Sequence, residues 1–102
     1  MWLLDFHPHV EADLTEAAEW YERQQPRLGD RFLDEAAHAF SRLPHDALLH
    51  AIRLADIRRV NLPSFPHGVF YFAMGDAVVV LAVLHGARHS ETALLERRKK
   101  FP

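Results

Sequence analysis

Apolar positions recur along this chain at two different spacings, and the change of spacing divides it into helices and strands. From Val10 the apolar residues Val10, Leu14, Ala17, Ala18 and Tyr21 fall on one face of a helix, while the other face carries Glu11, Asp13, Glu16, Glu19 and Glu22. Pro8 suits the entry to that helix, where a missing N–H loses no partner. Gln25-Pro26-Arg27 interrupts the period. A second stripe, Leu28, Phe32, Ala36, Ala39, Phe40 and Leu43, predicts a helix from about Leu28 to Leu43, ended by Pro44. Two amphipathic helices with so short a break form a hairpin. Their apolar faces are too narrow to close on each other alone and need a sheet beneath them.

The remaining segments supply that sheet. Trp2 to Phe6 reads as a short first strand stopped by His7-Pro8, and Ile57 to Leu62, His67 to Met74 and Ala77 to Leu84 read as three more. Met74-Gly75-Asp76-Ala77 is a tight hairpin signal, and Pro63 and Pro66 mark the preceding turn. The run Val78 to Leu84 is apolar on both faces, as in a central strand. Ser90 stands where it would cap a short C-terminal helix from Glu91 to about Lys99, with Arg97, Arg98, Lys99 and Lys100 in its last turn. Residues 45–56 carry no readable period. The order is β-α-α-β-β-β with a C-terminal helix, which implies an α+β fold with an antiparallel-type sheet and the helical hairpin on one face.

Composition narrows the classes. At 102 residues the chain makes one domain, residues 1–102, with a single core. It holds no cysteine, which excludes disulfides and thiolate metal sites and fits a reducing cytoplasm. No apolar run is long enough to span a bilayer and no secretory leader is expected, so no membrane role is expected. The net charge of −2 is unevenly placed, with a balance of −6 over residues 1–51 and +4 over residues 52–102. Two solvated faces of opposite sign are one reading; a basic sheet and C-terminal side that meets an acidic partner or nucleic acid is the other. A chain whose main task was gripping ribosomal RNA would be basic overall.

The eight histidines invite a metal reading. His7 and His9 share one side of an extended segment, and His85 and His89 would share a helix face, but neither pair has a third ligand in reach. No metal or cofactor is expected. Phe70, Tyr71 and Phe72 present ring faces able to stack on bases; alternation on a strand beside a helical layer explains most of them as core.

Several motifs together are similar to the ParE/RelE toxin superfamily over nearly the whole chain. They are Ala12-Asp13-Leu14, Trp20-Tyr21 and Leu28-Gly29 with Phe32 and Glu35, followed by Arg58-Arg59, Phe65-Pro66, Val69-Phe70-Tyr71-Phe72 and His85-Gly86-Ala87-Arg88. The resemblance implies the toxin of a type II toxin–antitoxin pair of the plasmid-stabilisation kind. A cognate antitoxin would neutralise it by wrapping its groove and sheet in a toxin–antitoxin hetero-oligomer. Two activities diverge within the superfamily. RelE-like members cleave mRNA on the ribosome, and for that chemistry this chain offers Arg58 or Arg59, His85 and Arg88. ParE-like members poison DNA gyrase by binding and perform no chemistry.

Each candidate also has a plainer role. Arg58, Arg59, Arg88, Arg97 and Arg98 are equally suited to contact a partner, and His85 suits a hydrogen-bonded strand end. The tail from Leu94 to Pro102 has no Tyr or His, and the net charge is negative. Both departures from the nuclease pattern favour the ParE-like branch, with a RelE-like endoribonuclease or a relative that only binds antitoxin as the alternatives.

Overall fold

The computed structural model describes residues 2–86 and 90–102. Its elements run β1 (Leu3–Phe6), α1 (Val10–Gln24), α2 (Leu28–Asp46), β2 (Ile52–Leu54), β3 (Ile57–Asn61), β4 (His67–Met74), β5 (Ala77–His85) and α3 (Ser90–Arg98). The five strands form one sheet in the order β1-β5-β4-β3-β2. All neighbours are antiparallel except β1, which joins β5 in parallel after the chain has crossed over through the helices and the other strands.

Three features go beyond the hydrophobic pattern. Residues 45–56 contain the short edge strand β2, whose Ile52 is exposed and which pairs with only two residues of β3. A strand that buries so little leaves no alternation to read. Helix α2 continues past Pro44 to Asp46. Proline costs least near a helix end, where the ladder is already finishing, and Leu43 and Ala47 on either side of it are anchored in the core. Pro44 O also accepts a bond from Trp2 N–H at 3.2 Å.

The third feature is that the sheet is covered on both faces. The hairpin α1–α2 packs on Val69, Tyr71, Val78, Val80 and Val83 through Val10, Ala18, Phe32 and Leu43. Opposite it, α3 and the tail bring Leu94 and Phe101 onto Ile57, Phe70, Phe72, Val79 and Leu81. Sandwiching explains why Phe70, Tyr71 and Phe72 are all buried although they alternate in direction. Helices α1 and α2 meet where Gly29 abuts Ala18; a Cβ at position 29 would stand 2.5 Å from the Ala18 carbonyl oxygen. Glu22 then caps α2, accepting from the N–H groups of Arg27 (3.0 Å) and Gly29 (3.1 Å).

Strand β5 carries a bulge. Phe70 pairs with Ala82 and Tyr71 with Val80, leaving Leu81 as the extra residue. The bulge lies just beyond the last β1 partner, Val80. From there β5 has no neighbouring strand on that side, and side chains close its edge instead.

Candidate functional site

Asp13 and Arg97 provide that closure. Asp13 belongs to the polar face of α1 by sequence, yet it is only 9% exposed. Its carboxylate accepts from Val83 N–H at 3.0 Å and from both Arg97 terminal nitrogens at 2.6 and 3.0 Å. Arg97 also donates to Leu81 O at 3.0 Å. One donor and one acceptor of the open β5 edge are thereby satisfied by a charge pair bridging α1 and α3. Arg98 is committed too. It forks onto Asp56 at 2.8–3.2 Å, donates to the carbonyls of Phe101 and Pro102, and lies 3.9 Å from the Phe72 ring centre. The Arg98 guanidinium holds the Asp56 carboxyl below its ordinary range.

Arg58 and Arg59 alternate on β3 and serve opposite faces. Arg58 pairs with Tyr71, on the hairpin side, and donates to His50 O at 2.7 Å, which fastens the loop leading into β2. Arg59 pairs with Phe70, on the α3 side. Its Nε donates to Asn61 Oδ1 at 2.6 Å and its guanidinium sits 5.2 Å from the Phe70 ring centre. Gly68 makes the room, because a Cβ there would collide with the Arg59 guanidinium. Burial, and then the neighbouring charge of Arg53, pull the Arg59 pKa down. Among the described residues no carboxylate lies within 4.0 Å of Arg53, Arg58 or Arg59.

His85 ends β5 opposite His67, with ring centres 5.4 Å apart. His85 is exposed, whereas His67 is buried against Phe32 and Tyr21. Burial, and then His85, push His67 down to about 4, so at neutral pH its ring is uncharged. Tyr21 Oη lies 3.5 Å from His67 Nδ1, and burial raises the Tyr21 pKa. These side chains, with Ala17, Pro66 and half-exposed Trp20, line a mostly apolar cavity of about 510 Å³. The sequence marked Trp20-Tyr21 and Phe65-Pro66 as motifs but assigned no role to His67. Its position directly after Phe65-Pro66 marked only a strand start, and the rings of Tyr21, Phe32 and His85 that give it meaning come from other elements.

Among the described residues the candidates for cleavage chemistry are not drawn together. His85 pairs with His67 on the hairpin side of the sheet, and Arg59 faces the α3 side. Arg58 shares the hairpin side with His85, but its partner Tyr71 is four residues along β4 from His67, roughly 13 Å of strand. Arg88 lies outside the described residues. Among those described, no three His, Asp or Glu side chains are grouped to hold a metal ion, and no helix is long and apolar enough to cross a membrane.

Comparison with known proteins agrees with this architecture. Among curated proteins none is similar in sequence. A solved structure described as the chromosomal ParDE TA system from P. aeruginosa superposes with a TM-score of 0.76 at 16% identity, covering 85% of this chain and 98% of that one. At that identity the likeness is one of fold. The model of the family described as "ParE toxin of type II toxin-antitoxin system, parDE" matches residues 4–89, spanning the first strand, both helices of the hairpin and the rest of the sheet, so the chain belongs to the ParE toxin family.

Proposed function

We propose that this protein acts by binding rather than by chemistry, inhibiting DNA gyrase and being held inactive by a cognate antitoxin. The observation that carries this reading is the separation, among the described residues, of His85 from Arg58 and Arg59. RNA cleavage at the ribose 2′-OH needs a proton acceptor and a phosphate-binding cation converging on one scissile bond, within about 3 Å of their targets. Arg59 and His85 stand on opposite faces of the sheet, and Arg58 is spent on a backbone carbonyl. The buried imidazole of His67, uncharged at neutral pH, packs as an aromatic.

What remains exposed suits protein recognition. The cavity under Trp20 is apolar with a histidine rim, which fits the apolar side of an amphipathic helix from the antitoxin. Arg59, on the other face of the sheet, adds a cation that no carboxylate among the described residues answers.

The test is induction in a bacterial host lacking antitoxin, with pulse labelling of DNA and protein synthesis. DNA synthesis stopping first, together with loss of supercoiling by purified gyrase in the presence of the protein, is the expected result. Protein synthesis stopping first, with cut mRNA on ribosomes, would overturn the binding reading.

A further inference from the structure

The α3 side of the sheet holds a second cavity, of about 350 Å³, separate from the one under Trp20. Phe70 and Leu94 form its buried apolar surface, and Leu54 adds to it. Arg53 and Arg59 supply two positive charges, with Asn61 beside them. This is an unusual grouping, because like charges sharing a cavity repel each other and among the described residues neither has an acid within 4.0 Å. Arg59 has one firm hydrogen bond, from Nε to Asn61, which leaves its terminal nitrogens for a ligand. Gly68 leaves the room in which the guanidinium lies over Phe70.

We propose that this cavity is a carboxylate seat, taking one Asp or Glu side chain, flanked by apolar residues, from a peptide segment of the antitoxin. The proposal rests on the toxin reading and gives that partner a stated chemistry. An acidic side chain answers both guanidiniums with charge-assisted bonds. Its apolar neighbours cover Phe70 and Leu94, and Asn61 offers an amide to the peptide. A run of phosphates fits less well. Glu91, on the first turn of α3, stands at the same cavity and repels a second negative charge. Arg58, the next cation along β3, points to the other face. The edge of β3 also favours an extended peptide, because β2 pairs only with Ile57 and Arg58 and leaves Arg59 to Asn61 without a strand on that side.

The test uses the full chain and follows the Arg59 and Arg53 Nε–Hε signals by NMR. The probes are acetyl-Leu-Glu-Leu-amide, its Gln counterpart and adenosine monophosphate. Saturable movement of both signals by the Glu peptide is expected, with binding about tenfold weaker for the Gln peptide and for Arg53→Gln, as for loss of a charge-assisted bond. Gly68→Ala, which displaces the Arg59 guanidinium, should weaken it similarly. Arg53 is exposed, so Arg53→Gln keeps the fold if position 68 does not tolerate alanine. Equal binding of the Gln and Glu peptides, no saturable movement, or tighter binding of adenosine monophosphate would each overturn the proposal. Because the titration reads the cavity directly, it separates failure of this seat from failure of the toxin reading, which growth arrest decides.

Discussion

Two arginine doublets stand in this chain, and they are used in opposite ways. Arg97 and Arg98 are each forked onto a carboxylate, Asp13 and Asp56, and each also donates to backbone carbonyls. Arg58 and Arg59 meet no carboxylate among the described residues; one holds a loop carbonyl and the other a side-chain amide. Adjacent residues on a helix point about 100° apart and adjacent residues on a strand point to opposite faces, so neither doublet acts as a unit. The C-terminal doublet fastens α3 to the body at two places. The β3 doublet leaves a cation on each face of the sheet. The difference teaches that a basic run in sequence is not in itself a basic surface, since partners elsewhere in the chain decide which charges remain available.

The sharpest way to break the comparison is to remove the acid that commits Arg97. Asp13→Asn leaves a mostly buried guanidinium without its counter-charge, at a cost of about 3–5 kcal/mol. For a domain of this size that lowers Tm by more than about 12 °C in a thermal melt. Adding Arg97→Gln should recover part of the loss, because Asn can still accept from Val83 N–H and Gln can still donate to Leu81 O. Equal melting of the wild type and Asp13→Asn would show that the pair does not hold the β5 edge.

An acid titration separates the two regions next. His67 sits at about 4 when folded and near 6.5 when unfolded. The unfolded chain therefore takes up the proton first, and the neutral ring contributes stability that is complete above pH 6.5 and lost as pH falls toward 4. The loss is on the order of 3 kcal/mol. His7, lowered by burial and by Arg97, adds in the same direction. Asp56, lowered chiefly by its bond to Arg98, acts in a more acid window. Its contribution is present above its unfolded pKa and disappears as pH falls through the depressed folded value. It is half exposed, so that contribution is below about 1 kcal/mol. Urea midpoints from pH 7.5 to 3 should thus fall first through the histidine window and then, more shallowly, through the Asp56 window. His67→Gln should flatten the first fall and leave the second; an unchanged slope between pH 6.5 and 4 would remove His67 from the account.

The hairpin and β3 to β5 were legible because each buries a regular pattern, and the C-terminal helix was legible through Ser90 at its start and the basic residues of its last turn. The aromatic strand was legible as core, although the pattern gave no sign that α3 would cover its second face. Leu94 is the residue that does so, and one leucine in a helix full of charges is a faint signal. Asp13 was misleading for the opposite reason. Its place on the acidic face of α1 agrees with its helical position, but the bulge at Leu81 and the early end of β1 create a polar edge that only long-range structure reveals. His67 and Arg53 were invisible as site residues for the same cause, since the neighbours that give them meaning lie on other strands or on α3.

The smallest expected changes in stability fall on the β3 doublet, and they sharpen the comparison most. Arg58→Ala removes a charge-assisted bond to the His50 carbonyl, worth about 1 kcal/mol, beside a loop that water can reach. Arg59→Ala gives up one bond to an exposed amide and the contact with Phe70, and that cation–π contact is worth about 0.5–1 kcal/mol. Neither should move Tm by more than about 8 °C. If the uncommitted Arg59 serves recognition, Arg59→Ala should weaken neutralisation by the antitoxin while the folded fraction at 37 °C stays near that of the wild type. Arg58→Ala, whose charge is already spent on the loop, should affect neutralisation less. Growth of cells expressing each variant at graded antitoxin levels, read alongside melting of the same proteins, checks both. Should the two variants lose neutralisation equally, or only in proportion to lost stability, the division between committed and available arginines would have no functional meaning.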